Sequence, residues 1–211
     1  MNIYFKPYTQ YLTDTPKNGQ HILAFQHNDM LVVYQAYKPS IADFAVANQR
    51  FGGPNYSFNR MSWIKPNFLW MMYRCGWAEK ENQERVLAIW IKKSRFEEIL
   101  NEASYSSFSQ SAHNDHDSWR NELNEKNVRL QWDPDHDAYG KKLERRAIQL
   151  GLKGEMLRRF NEQIVRIDDM TPFVTQQKEI LDAGNLDQLM VPFETIFRST
   201  DEGLNKKIGI A

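Results

Sequence analysis

The densest concentration of groups able to do chemistry lies between Arg60 and Trp77. Three tryptophans (Trp63, Trp70, Trp77), one tyrosine (Tyr73) and three cations (Arg60, Lys65, Arg74) share eighteen residues there. Aromatic faces stack on planar rings, and Arg and Lys pair with phosphate or carboxylate. The run therefore suits a ligand that joins a planar ring to an anionic group. A second cluster is Tyr34-Gln-Ala-Tyr37, where Gln35 offers two donors and an acceptor, the set that holds ribose hydroxyls or an amide. Plainer roles fit the same residues: a buried helix with snorkelling cations, and a core glutamine with its bonds satisfied. Cations at both ends of so apolar a segment favour the pocket.

Other clusters carry less. Asp133-Pro-Asp-His-Asp137 with Glu144 imitates a calcium loop at positions one, three, five and twelve. Ala138 stands at the sixth position, where the loop requires glycine, and the preceding segment reads as a strand rather than a helix. An acidic turn capping a following helix is the better expectation. His113, Asp115, His116 and Asp117 read as solvated polar sequence, and no metal site is expected. Cys75 is the single cysteine; within an apolar stretch it reads as a small buried hydrophobe. The Walker A loop, the dinucleotide-binding glycine fingerprint, the nucleophile elbow and the zinc-protease helix have no counterpart.

These side chains need elements to hold them. Residues 21–27 and 30–37 read as strands joined at Asn28-Asp29, a hairpin turn. Ser40 with Asp43 and Ser94 with Glu97 form capping-box pairs at the starts of two helices. Residues 58–64 suggest a short strand, and Pro66 fits the first turn of a buried helix reaching Cys75. Val86–Ile91 has the continuous apolar character of a fully buried strand. Residues 104–121 read as a long exposed loop, and 128–132 as a strand ending at Asp133-Pro134. Helices are expected at about 138–150 and 154–167, then from a Thr171 N-cap to Gly184. Met190–Phe197 is a last strand. The pattern is one α+β domain over residues 1–211, with an N-terminal arm at 1–19, a core at 20–200 and a C-terminal tail at 201–211. Its strands are expected mainly in the first two-thirds.

Composition excludes several classes. Hydrophobic residues make up 41% and charged residues 26%, and Lys+Arg and Asp+Glu both total 27. Zero net charge argues against a non-specific nucleic-acid coat, which needs surplus cations, but leaves room for a local basic groove. No stretch approaches the ~20 apolar residues of a membrane span. The first residues lack a signal peptide's basic flank and apolar core, so a cytoplasmic location is expected.

Tyr34-Gln-Ala-Tyr37, the Arg60–Trp77 run, Val86-Leu-Ala-Ile89, Arg129-Leu-Gln-Trp-Asp-Pro134 and Arg146-Ala-Ile-Gln-Leu-Gly-Leu152 together resemble an uncharacterised domain family of bacteria and fungi. That resemblance covers roughly residues 20–200 and implies no activity. The order of elements also resembles the ADP-ribosyltransferases, which implies a mixed, mainly antiparallel sheet with packed helices and NAD as substrate. On that resemblance Gln35 takes the first catalytic position, where the family carries Arg or His, and Ser62 takes the second. Glu194 or Gln131 takes the third; Glu194 lacks the family's acidic neighbour two residues earlier. Tyr37, Arg60, Trp63, Lys65, Trp70, Arg74 and Gln131 would surround the cofactor, with aromatics around nicotinamide and Arg60 or Lys65 on the diphosphate. Cleaving nicotinamide from ribose develops oxocarbenium character that a nearby carboxylate stabilises. The implied protein is an NAD-binding domain passing ADP-ribose to a protein or nucleic-acid acceptor. The alternative is a non-catalytic module binding a nucleotide or RNA end in the same pocket.

Overall fold

The structure, a computed structural model, describes residues 2–210. Met1 and Ala211, the ends of the expected arm and tail, lie outside it. A short strand β1 (Phe5–Pro7) and helix α1 (Tyr8–Asp14) lead into the hairpin of β2 (Ile22–His27) and β3 (Met30–Tyr37). Asn28 turns that hairpin at φ 54°, a left-handed conformation that Asn adopts readily. Helix α2 (Pro39–Asn48) and the short β4 (Ser62–Ile64) follow, then α3 (Phe68–Cys75) and β5 (Arg85–Lys92).

Strand β3 pairs with β5 along its whole length, Met30 opposite Lys92 to Tyr37 opposite Arg85. Successive residues of this pair point to opposite faces, as the pleat requires. Leu31, Val33, Leu87, Ile89 and Ile91 enter one core cluster, while Val32, Tyr34, Val86, Ala88 and Trp90 enter the other. Burial on both faces explains the continuous apolar runs of these two strands.

Helix α4 (Lys93–Asn101) precedes β6 (Ala103–Tyr105), a 3-10 turn at Phe108–Gln110 and helix α5 (His116–Glu125). The stretch expected to be a long loop thus holds a strand, a turn and most of a helix. Asp115 caps α5, its Oδ1 accepting from the Asp117 and Ser118 N–H groups, and the Trp119 indole donates to Tyr105 O at 2.9 Å. Those contacts order a segment whose composition reads as solvated.

Strand β7 (Val128–His136) runs through Asp133-Pro134 rather than ending there, and β8 (Lys142–Leu152) replaces the helix expected at 138–150. Asp137 turns this hairpin instead of capping a helix, accepting from the Tyr139 and Lys141 N–H groups. Pro134 is tolerated because the register shifts beside it and β6 covers only Val128–Leu130 on that side of β7. Helix α6 (Gly154–Glu162) is shorter than expected and gives way to β9 (Arg166–Asp169). Helix α7 (Thr171–Asp182) starts one residue early, with Met170 at its N-cap, and ends near Gly184. Both expected capping boxes are absent as side-chain caps: Lys38 and Lys92 occupy the N-cap positions of α2 and α4.

The last expected strand is broken. Pro192 closes β10 (Met190–Pro192), which pairs with β1, and β11 (Glu194–Phe197) pairs with β2. Helix α8 (Glu202–Ile208) ends the chain's regular structure. Strands therefore continue into the last third. Among the described residues, eight α-helices pack on three mainly antiparallel sheets. Their orders are β1-β10, β11-β2-β3-β5-β9 and β4-β8-β7-β6, and the β6–β7 pair is parallel. This is an α+β domain. No helix among the described residues is long and apolar enough to cross a membrane.

Candidate functional site: a basic cleft where two sheets part

The site originates in a change of partner along one strand edge. One edge of β3 is filled by β5. The other meets β2 only at Met30 and Leu31, and further on it meets the chain after β4, where Tyr34 and Lys65 exchange backbone hydrogen bonds of 2.7 and 3.2 Å. The five-stranded and four-stranded sheets therefore touch at Tyr34–Lys65 and part beyond it. Beyond that point, side chains replace the ladder. Gln35 Nε2 donates to Ser62 Oγ at 2.7 Å and to Trp63 O at 3.1 Å, and the Tyr37 hydroxyl lies 2.7 Å from the same Ser62 oxygen. Gln35 Oε1 is buried and has no partner among the described residues.

Between the parted strands lies a cleft of about 710 Å³. Gln35, Tyr37, Arg60, Ser62, Trp63, Lys65 and Arg74 all line it, so residues 27 positions apart in sequence share one wall. Trp63 and Met61 lie against Gly151 of β8: a Cβ there would sit 2.6 Å from Met61 Sδ and 2.9 Å from Trp63 Cε2. The cleft is basic, with Lys38, Arg60, Lys65 and Arg74 in its lining against the single carboxylate of Glu81. Within a chain of zero net charge the cleft lining carries a local cationic surplus.

Lys65 is the unusual member. Its side chain is only 4% exposed, and among the described residues its ammonium makes neither ion pair nor hydrogen bond; the Trp70 ring lies 5.4 Å away. Burial, reinforced by the neighbouring Arg74 charge, lowers its pKa to about 7. Desolvation penalises the charged amine, and the opposing pull of the Asp133 carboxylate is too weak to offset it. The next two residues set its position. Pro66 restricts the backbone, and Asn67 caps α3 by accepting from Trp70 N–H at 2.6 Å.

Three of the expected residues sit elsewhere. Trp70 is buried behind Lys65, edge-on to Tyr73 and His136. Gln131 donates to Asp133 at 2.8 Å, and its cross-strand neighbour Gln149 donates to the same carboxylate at 2.8 Å. Of that pair only Gln149 lines the cleft. Glu194 lies outside the cleft altogether. It is 3% exposed, and its carboxyl accepts from Phe68 N–H at 2.6 Å, Asn67 Nδ2 at 3.1 Å and the Tyr11 hydroxyl at 3.3 Å. Burial raises its pKa to about 8 in spite of those donors. It ties α1, the start of α3 and β11 together. Asp135, once a calcium-loop candidate, forms a buried ion pair with Arg145 at 2.6 Å.

Sequence reading missed Lys38, Tyr56, Glu81 and Gln149 as cleft residues. Tyr56 stacks on Phe51 at 5.1 Å and meets Tyr37 edge-on. An aromatic in a Gly-Gly-Pro turn, so close to the Arg60 run, was the available signal. Gln149 was hidden by the misreading of β8 as a helix.

No curated protein matches the chain. A family model described as a domain of unknown function, DUF4291, matches residues 21–197, a span that holds every one of these cleft-lining residues. The chain belongs to the DUF4291 family.

Proposed function

We propose that the cleft binds a nucleotide-type ligand, a planar ring carrying phosphate or diphosphate. The observation that carries this reading is the charge of the cleft wall, where Lys38, Arg60, Lys65 and Arg74 face the one carboxylate of Glu81. Clustered like charges repel one another, and a bound anion relieves that repulsion. Trp63 and Tyr56 supply ring faces, and the unpartnered Oε1 of Gln35 can accept from a ligand hydroxyl or amide.

A panel of NAD, ADP-ribose, ATP, a 5′-phosphorylated RNA oligonucleotide and adenosine tests it by thermal shift and titration calorimetry. Phosphate-bearing members should raise Tm by several degrees at millimolar concentration, adenosine should not, and the double substitution Arg60→Met with Arg74→Met should weaken binding at least tenfold. A panel in which no phosphate-bearing member binds would sink the reading.

The second reading, transfer of ADP-ribose from NAD, is favoured by the contact between Gln35 and Ser62. The ribose carboxylate it requires would have to be Glu81 rather than the buried Glu194. Nicotinamide release from NAD, lost in Glu81→Gln, would support it. Binding of NAD without release would leave the non-catalytic module.

A further inference from the structure

We infer that Lys65 is a nucleophile whose Nζ condenses with the aldehyde or ketone of a phosphate-bearing ligand seated in the cleft, forming an imine. The inference rests on the cleft's taking phosphate, and its test separates the two.

The geometry distinguishes Lys65 from the chain's other thirteen lysines. Lys6 is buried to a similar degree, but its amine is 2.9 Å from Asp14 and 4.4 Å from the Phe193 ring centre. Among the described residues the Lys65 amine has neither an ion pair nor a hydrogen bond, and it lies over the Trp70 ring, 5.4 Å from its centre. Its backbone is clamped to Tyr34 in both directions and followed by Pro66 and the Asn67 cap, so the stem starts from a fixed base. Arg60 and Arg74 line the same cleft, and a guanidinium holds phosphate through paired N–H donors. Phosphate therefore has its own ligands, and the lysine is left for chemistry. Its pKa of about 7 means that a large fraction is free amine at neutral pH, as a nucleophilic lysine requires.

The step balances without a further reactant. The Nζ lone pair attacks the carbonyl carbon to give a carbinolamine. The carbonyl oxygen then leaves as water, carrying the two amine protons, and a C=N bond remains. A cleft open to solvent receives that water.

The experiment uses the full chain with pyridoxal 5′-phosphate, which carries an aldehyde, a planar ring and a phosphate, and with pyridoxal as its phosphate-free control. Imines are fixed with borohydride and mapped by peptide mass spectrometry. The expected result is a reduced adduct at Lys65 in at least tenfold preference to any other lysine. It should form at least tenfold more slowly with pyridoxal, be half-maximal near pH 7 and be absent in Lys65→Arg. Labelling spread over exposed lysines, with Lys65 unmodified although pyridoxal 5′-phosphate raises Tm, overturns the nucleophile and leaves the phosphate cleft standing. Equal labelling of Lys65 by both aldehydes upholds the nucleophile and overturns the phosphate cleft. No adduct and no stabilisation overturns both.

Discussion

At the scale of single residues, Glu194 and Lys65 show how burial sets protonation. Glu194 carries a pKa raised from its ordinary 4.5 to about 8. The folded state therefore holds an extra proton between those values. Its contribution to stability is complete below pH 4.5 and is lost as pH rises through 8. Glu194→Gln keeps the size and an acceptor oxygen for Phe68 N–H, so it should change stability by no more than about 1 kcal/mol at pH 7 and flatten the fall toward pH 8. Glu194→Ala leaves buried donors unpaired and should cost about 3 kcal/mol, summed over the lost partners. Denaturant titrations at pH 5, 7 and 8.5 on both variants measure this. An unchanged pH slope in Glu194→Gln would show that the carboxyl is ionised at neutral pH. The charge-stabilising role that the ADP-ribosyltransferase resemblance implied for this residue needs an ionised carboxylate beside a ribose, and Glu194 is a largely neutral acid behind the cleft.

Among elements, the cleft depends on β3 exchanging one neighbour for another. Where backbone pairing with β2 ends and pairing with Lys65 begins, Gln35 and Tyr37 hold β4 through Ser62. The β4 strand is only three residues long, so it is positioned as much by these side chains and by Gly151 as by its own ladder with β8. Gly151→Ala should displace Trp63 and Met61, since a Cβ has no room between them. Nucleotide affinity should fall at least threefold and tryptophan fluorescence should shift, while stability drops by about 1–3 kcal/mol, the usual cost of overpacking. Unchanged affinity and fluorescence would mean that Trp63 does not form the cleft wall. Strand β8 is also where local reading failed most. Leu143, Ala147 and Leu150 follow helical spacing, while Ile148, Leu150 and Leu152 follow strand spacing. Pairing with β7 over most of its length decided the matter.

For the whole molecule, the family match at 21–197 is narrower than the packed unit. Residues before it supply β1, the buried Tyr8 and Tyr11, and the Tyr11 hydroxyl bound to Glu194. Residues after it supply Leu204 and Ile208, and the Trp132 indole donates to Ile208 O at 2.8 Å. Truncation to 21–197 removes these apolar side chains and orphans polar groups at both ends of the sheet system. Buried aromatic and aliphatic side chains are each worth about 2–5 kcal/mol when deleted. The fragment should therefore melt at least 10 °C below the full chain, at roughly 2–4 °C per kcal/mol for a domain this size. Equal melting temperatures by circular dichroism would show that the flanks are appendages.

Strong local signals survived into the structure. The Asn28 hairpin, the apolar runs of β3 and β5, and the buried helix between Pro66 and Gly76 are dictated by turn chemistry and by burial on all sides. The Arg60–Trp77 concentration of aromatics and cations was legible for the same reason, because its residues are neighbours in the chain. Contacts between distant segments were not legible. Whether β8 is helix or strand, whether 104–121 is loop or structure, and whether Glu194 meets the cleft all turn on partners up to 183 residues away. Glu194 sits behind α3 because β11 pairs with β2, and Gln149 reaches the cleft because β8 pairs with both β4 and β7. Local propensity acts through the nearest few residues, whereas sheet pairing and burial act through space. The cleft is made where two sheets part, so only the tertiary structure could place its walls.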